Sequence, residues 1–305
     1  MRIVFMGTPE FAVPSLEELV EEHDVVAVVT QPDRRSGRGQ RLRPSPVKET
    51  ALKHGLEVFQ PEKIGSAEAI EQLEAYQADL FAVVAFGQKL PDPVLNMPRY
   101  GCVNVHSSLL PKYRGAAPIN AAIVNGDPVT GVTTMYMDAG WDTGDIILQE
   151  QEAVLPRDTA GDLHDRLMVK GAKLLRETVR QIAGGQAPRI PQDHEGASYA
   201  FKLSKKDSYV DFTEAADKLD RLIRGMNPWP LAYTYVGEEM VKIHSASPSE
   251  IQGAPGEILA LAGEGLLVGC GSGSLHLIRV QRPNAKAVSG ADFANGLRLR
   301  VGDFL

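Results

Sequence analysis

Cysteine is scarce in this chain of 305 residues: there are two, Cys102 and Cys270. They lie far apart and in no ligand-like spacing. That excludes a disulfide framework and a cysteine-built metal site, and it fits a reducing compartment. Long apolar runs are missing too. No stretch approaches the roughly 18 residues of a membrane-spanning helix, so no membrane partner is expected. Met1-Arg2 leads directly into an apolar segment, with no signal-like or Arg/Ser-rich leader. The expected location is the cytoplasm. An excess of positive charge is missing: 32 basic groups stand against 39 acidic ones, a net charge of −7. That argues against indiscriminate binding of nucleic acid. Finally, the first strand ends in Gly7-Thr8-Pro9-Glu10-Phe11, not in G-x-G-x-x-G. Nothing there seats a pyrophosphate on a helix N-terminus, so a nicotinamide cofactor has no support.

What is present is ordinary in bulk and uneven in detail. Hydrophobic residues make up 43% and charged residues 23%, as in a soluble globular protein with a core of useful size. Residues 201–305 carry 12 basic and 12 acidic groups, so the whole net charge belongs to residues 1–200. Within those acidic 200 residues a short run is opposite in sign. From Asp33 to Arg43 there are five arginines (Arg34, Arg35, Arg38, Arg41, Arg43) against one acid. A polyanion would meet such a protein at a chosen place.

The hydrophobic pattern predicts strands at 2–7, 25–30, 58–59, 80–85, 100–106 and 131–136. Helices are predicted at 14–22, 46–54, 67–76 and 158–183, with Ser45 as a cap and Pro46 at the first helical position. Alternating strands and helices imply an α/β fold with a doubly wound, mostly parallel sheet. After residue 207 the texture changes. One amphipathic helix (215–226) precedes short alternating segments at 232–236, 241–244, 256–259, 265–269 and 274–280, separated by glycine turns. These predict a smaller C-terminal β-barrel. The expected organisation is 1–185 as a first domain, 186–206 as a linker and 207–305 as the second domain.

The chemistry concentrates between residues 104 and 145. In Cys102-Val103-Asn104-Val105-His106 alternate side chains share a face of a strand. Asn104 and His106 thus point together at its carboxyl end, where ligands bind in open α/β sheets. Asp142 follows in the glycine-rich loop Asp138-Ala139-Gly140-Trp141-Asp142-Thr143-Gly144. An amide, an imidazole and a carboxylate suit transfer of a small acyl group to an amine. Asn104, and His106 if protonated, can donate to the oxygen that gains negative charge. Asp142 can hold the imidazole or relay the proton that the attacking nitrogen loses. Cys102 reads as a small core residue.

The segments Asn104-Val105-His106, Ser108-Leu109-Leu110-Pro111, Arg114-Gly115-Ala116 and Asp142-Thr143-Gly144 resemble the motifs of the folate-dependent formyltransferases. That resemblance implies a Rossmann-like catalytic domain with Asn104, His106 and Asp142 as its catalytic residues. It also implies 10-formyltetrahydrofolate as formyl donor and co-substrate, held by Ser108, Leu109, Leu110 and Pro111. Phe86, Gly87 and Leu90 in one loop, and Asp138 and Gly140 in another, would clasp its pterin. No metal is implied.

Further segments are similar to the members of this family whose acceptor is initiator methionyl-tRNA. They are Gly7-Thr8-Pro9-Glu10-Phe11, Gln31-Pro32-Asp33-Arg34, Gly37-Arg38-Gly39, Pro44-Ser45-Pro46-Val47-Lys48 and Asn227-Pro228-Trp229-Pro230. The likeness runs nearly end to end. It implies that the arginine loop enters the acceptor end of tRNA, and that the OB-like C-terminal barrel, with Lys205 and Lys206, binds tRNA as well. Arginines can neutralise phosphates and stack on unpaired bases. The catalytic motifs are shared by the whole family and do not choose the amine. Glycinamide ribonucleotide or an amino sugar as acceptor, water in a formyl-folate hydrolase, and a non-catalytic folate-regulated RNA-binding protein stay open on those residues. A monomer is expected.

Overall fold

The computed structural model describes residues 1–36 and 41–305. The chain divides into two compact units. The first comprises Met1–Pro118, Val129–Ala153 and His164–Ala200; the second comprises Ile119–Pro128, Val154–Leu163 and Phe201–Leu305.

The first unit is built on a seven-stranded sheet. Its order is Ile146–Ala153, Val129–Tyr136, Cys102–His106, Leu80–Val84, Arg2–Gly7, Asp24–Val29 and Val58–Phe59. The last five in that order run parallel; the first two are antiparallel additions at one edge. Parallel strands covered on both faces read as continuous apolar runs. Accordingly Leu80–Val84 is buried throughout, as is Arg2–Gly7 apart from Arg2. The chain leaves Arg2–Gly7 in one direction to reach Asp24–Val29 and returns on its other side with Leu80–Val84. That reversal of strand order opens a crevice at the carboxyl edge of the sheet.

Helix ends follow the sequence signals. Ser45 caps Pro46–Lys53 by accepting from the Lys48 N–H at 3.1 Å, and Ser66 caps Ala67–Ala75 through the Ala69 N–H at 3.2 Å. The expected long helix is Ala160–Ala183. It is anchored in the first unit by a buried hydroxyl pair, Thr178 with Thr134 at 2.7 Å, and by Arg176 on Glu18 at 2.5 Å.

The stretch 186–206, expected as a linker, divides between the units. Through Ala200 it belongs to the first. Ile190 bridges to Ile146, and Tyr199–Ala200 pairs in parallel with Arg114–Gly115. Within it, Gln192 and Ser198 bond to backbone of the loops they cross, whereas Arg189, Asp193 and Glu195 are exposed.

The second unit holds a six-stranded antiparallel sheet. Five strands run in the order Ala232–Val236, Glu239–Ser249, Ser274–Gln281, Gly265–Gly269 and Ile258–Ala262, and Val288–Ser289 joins Ser274–Gln281. This is the antiparallel C-terminal domain that the short alternating segments predicted. Among the described residues no ladder joins the two ends of that order. The amphipathic helix Ala216–Gly225 buries Leu219 and Ile223 with Ile243 and Val280. An ion triad closes one side of it. Asp220, 5% exposed, pairs with Arg157 at 3.2 Å and Arg224 at 2.8 Å. Arg224 also donates to the Asp158 carbonyl at 2.9 Å. Removing the carboxylate leaves a nearly buried guanidinium uncompensated. Asp220→Ala is therefore expected to cost about 3 kcal/mol of unfolding free energy, measured by urea denaturation; a loss below about 1 kcal/mol, the worth of a surface pair, would contradict it.

Candidate active site

Five loops leave the carboxyl edge of the parallel strands. They follow Gly7, Val29, Phe59, Val84 and His106. Thr8 and Gln31 hold the loop after Val84: the Thr8 hydroxyl and the Gln31 amide both donate to the Phe86 carbonyl, at 2.9 and 3.2 Å.

Asn104 and His106 lie on Cys102–His106 with one residue between them, so they share a face as expected. His106 is 6% exposed. Its Nε2 stands 2.9 Å from the Tyr113 carbonyl. A carbonyl only accepts, so Nε2 carries the proton and Nδ1 faces the other way. Nδ1 lies 3.8 Å from Asp142 Oδ2. That is too long for a direct hydrogen bond. In the neutral ring this is an acceptor facing an acceptor; in the imidazolium both nitrogens donate. A small donor, water or an attacking amine, would satisfy both groups. The Asn104 side chain makes no hydrogen bond among the described residues, although it is half-buried.

Asp142 is held from two sides. Its Oδ2 accepts the Gly115 N–H at 2.8 Å. Its backbone has φ of +53°, a left-handed conformation that few non-glycine residues adopt. The loop before it is a tight turn, in which Asp138 Oδ1 accepts from the Gly140 N–H at 2.9 Å and the Thr143 hydroxyl at 2.7 Å. Gly115 itself has φ of +113°, and a Cβ there would stand 2.7 Å from the Ala200 carbonyl oxygen. Only glycine brings that N–H to Asp142 without displacing a neighbour.

The residues expected to hold a folate fall into two groups. Leu109 and Pro111 are half-buried, and Gly87, Asp138 and Gly140 are exposed. The side chains of Phe86 and Leu90, each 2% exposed, sit in the core beneath the sheet. Ser108 is fully buried and gives its hydroxyl to the Lys112 carbonyl at 2.6 Å. Leu110 packs with Met135 and Ile146. Thr133 ties this turn down, donating to the Ser108 carbonyl at 2.6 Å and accepting from the Leu110 N–H at 3.1 Å. The side chains of Phe86, Leu90, Ser108 and Leu110 thus build the loops from inside. Burial pushes the Cys102 thiol up to about 12, so it is a core residue and no nucleophile.

The described part of the basic loop is a two-stranded antiparallel ladder. Arg34–Ser36 pairs with Arg41–Arg43, with Arg34 opposite Arg43, Arg35 opposite Leu42 and Ser36 opposite Arg41. Arg38 lies outside the described residues. Arg34 and Arg43 are exposed. The base of the loop is clamped: Lys48 donates to Asp33 and to Gln60, both at 2.7 Å, and Gln60 donates to Asp33 at 2.8 Å. Lys48 and Gln60 hold the Asp33 carboxyl below its ordinary range. In the second unit Lys205 and Lys206 are exposed on the turn Lys205–Ser208. Among the described residues no group of His, Cys, Asp and Glu is arranged to hold a metal ion.

Sequence reasoning missed Tyr113, Gly115 and Gln192. The carbonyl of Tyr113 and the N–H of Gly115 are backbone groups, without a residue-type signal. Gln192 lies in a stretch that had no periodicity. The resemblance did single out Arg114-Gly115-Ala116, but not what the pair does.

A doubly wound sheet with an amide, an imidazole and a carboxylate at its carboxyl edge is the architecture of a formyltransferase. A family profile described as formyl transferase matches residues 1–179, and one described as formyl transferase, C-terminal domain, matches residues 202–298. The chain is 46% identical to a methionyl-tRNA formyltransferase of Geobacter metallireducens, over 99% of this chain and 97% of that one. It is 48% identical to one of Pelotomaculum thermopropionicum, at the same coverage of both. The chain belongs to the methionyl-tRNA formyltransferase family. Among solved structures, an N-formyltransferase from Helicobacter canadensis in complex with folinic acid and dTDP-3-aminofucose superposes with a TM-score of 0.67. It is 20% identical, over 92% of this chain and 98% of that one. HypX from Aquifex aeolicus in complex with tetrahydrofolic acid superposes at 0.65. It is 19% identical, over 99% of this chain and 48% of that one.

Proposed function

We propose that this protein transfers the formyl group of 10-formyltetrahydrofolate to the α-amino group of methionyl initiator tRNA, in translation initiation. The observation that carries the reaction is the trio at the carboxyl edge: an Asn104 amide with no bond to the described protein, and a His106 nitrogen facing Asp142 across a gap of 3.8 Å. The amine nitrogen bonds to the formyl carbon, and the bond from that carbon to the donor nitrogen breaks. Charge builds on the formyl oxygen; Asn104 donates to it, and so does His106 through Nδ1 when the ring is protonated. Asp142 takes the proton that the attacking nitrogen loses, directly or through water, and the leaving nitrogen regains one. No covalent enzyme intermediate is needed; positioning and charge stabilisation suffice. Leu109, Pro111, Gly87, Asp138 and Gly140 stand open to the folate, and the backbone of Ser108, Leu110, Phe86 and Leu90 borders it.

The first unit is the catalytic domain. The second, with Lys205 and Lys206, is a tRNA-binding domain. The arginine loop, Arg34, Arg35, Arg38, Arg41 and Arg43, meets the acceptor end, and full-length likeness to methionyl-tRNA formyltransferases supports that reading. The protein acts as a cytoplasmic monomer without a metal. Among the described residues no helix is long and apolar enough to cross a membrane, and both cysteines are free.

The deciding assay offers radiolabelled 10-formyltetrahydrofolate with methionyl initiator tRNA, methionyl elongator tRNA and glycinamide ribonucleotide side by side. Label is expected in the initiator alone. Label in glycinamide ribonucleotide, or released as formate, would keep the chemistry and discard the acceptor. For the loop, the double variant Arg34→Ser, Arg43→Ser is expected to raise the KM for tRNA. The salt dependence of log affinity flattens by about one unit for each phosphate no longer neutralised. The KM for the folate stays unchanged; an equal rise in both constants would contradict the assignment.

A further inference from the structure

We infer that Gln192 is a positioning residue for this reaction, coupling the buried Arg114 guanidinium to the backbone that carries Asp142. The inference rests on the proposed role of Asp142. Gln192 is 6% exposed and Arg114 2%. The Gln192 carbonyl oxygen accepts from Arg114 Nε at 3.1 Å and from a terminal guanidinium nitrogen at 2.7 Å. Its amide nitrogen donates to the Asp142 carbonyl at 2.9 Å and the Gly144 carbonyl at 2.8 Å. The orientation of this amide has no alternative. Arginine has no acceptor and a carbonyl has no donor, so turning the amide over would oppose like to like at all four hydrogen bonds. Both N–H groups and both lone-pair sites are used, which a buried polar group requires.

Among the described residues Arg114 has no carboxylate partner. Besides Gln192, its side chain reaches only His194 Nδ1, at 3.3 Å, through the same terminal nitrogen. A nearly buried cation is therefore committed to one neutral amide, and that amide polarises toward the loop of Asp142. Three successive residues then serve the site in turn. The Tyr113 carbonyl fixes the His106 ring, Arg114 acts through Gln192 on the Asp142 carbonyl, and the Gly115 N–H holds the Asp142 carboxylate. The same strap that supplies Gln192 also fixes this triplet. Ser198 accepts the Tyr113 N–H with its hydroxyl and the Arg114 N–H with its carbonyl, both at 2.9 Å. Asp142, at φ of +53°, stays in its left-handed conformation only while its surroundings enforce it. Gln192 enforces it from the backbone side.

The test uses the full chain with Gln192→Glu, Gln192→Ala, Asp142→Asn and the double variant Gln192→Ala, Asp142→Asn. Glutamate keeps the volume and gives Arg114 a carboxylate, so the fold survives. It has no N–H for the Asp142 and Gly144 carbonyls. Its kcat is expected to fall roughly 10- to 100-fold, as for a misplaced catalytic group, with the KM for folate and for tRNA within about threefold of wild type. In the double variant the Gln192→Ala loss largely disappears, because the group it positions is already gone. Wild-type kcat in Gln192→Glu, or losses that multiply in full in the double variant, would overturn the positioning role. Wild-type turnover in Asp142→Asn alone would instead overturn the reading of Asp142, and this inference with it.

Discussion

Asp142→Asn is expected to lower turnover by roughly 10²–10⁴-fold, the range over which positioned acid–base groups act, while the chain stays folded. The substitution is close to isosteric. Asparagine keeps one side-chain oxygen, which can go on accepting the Gly115 N–H now bound at 2.8 Å. It also tolerates the left-handed backbone of this position, φ of +53°, at least as well as aspartate. What it lacks is a negative charge opposite His106 Nδ1 and a site for a proton. Single-turnover rates with saturating folate and tRNA, beside a denaturation curve, measure the two consequences separately. Turnover within about threefold of wild type would remove Asp142 from the chemistry. A lost fold would mean that the carboxylate charge is structural, which the neutral hydrogen bonds around it do not suggest.

Much of this architecture was legible in residue order. Continuous apolar runs such as Leu80–Val84 and capped helices such as Pro46–Lys53 stand where the pattern puts them, because their local and tertiary preferences agree. Elements at the margins were not. Ile146–Ala153 is an edge strand with four polar or charged residues, partly exposed, so its alternation is blurred. Pro118–Asn125 and Gly290–Leu297 are, like Pro46–Lys53, only eight residues long, and neither has the pairing of a serine cap with a proline at the first helical position that marks that helix. In the site, Asn104 and His106 were readable as one face of a strand, and Asp142 from its glycine-rich loop. Which loop residues face a ligand was not. Phe86 and Leu90 carry a large apolar side chain into the core, and sequence alone cannot separate that from an apolar ligand wall. Least legible was the strap from Gln186 to Ala200. Its order comes from hydrogen bonds to backbone and side-chain groups 50 to 85 residues away, and no local periodicity encodes those.

Asn104→Leu is expected to move stability and activity in opposite directions. A half-buried amide without a hydrogen bond to the described protein contributes nothing polar to the fold, and its desolvation is a cost. Leucine of similar size removes that cost, so the unfolding free energy should stay level or rise by up to about 1 kcal/mol. Turnover should fall roughly 10²–10³-fold, the loss that follows removal of one donor to a developing oxyanion. The KM for folate should change far less, because the donor's interaction strengthens only as charge appears on the formyl oxygen. Neighbouring residues frame the comparison. His106 and Asp142 each have bonds to the loops, so truncating either to alanine disturbs both structure and chemistry, whereas Asn104 can be removed from the chemistry alone. Equilibrium denaturation and steady-state kinetics on the same preparation suffice. A destabilised Asn104→Leu with normal turnover would reverse the assignment and make the amide a structural group. A stable variant with turnover unchanged would leave His106 as the sole donor to the formyl oxygen.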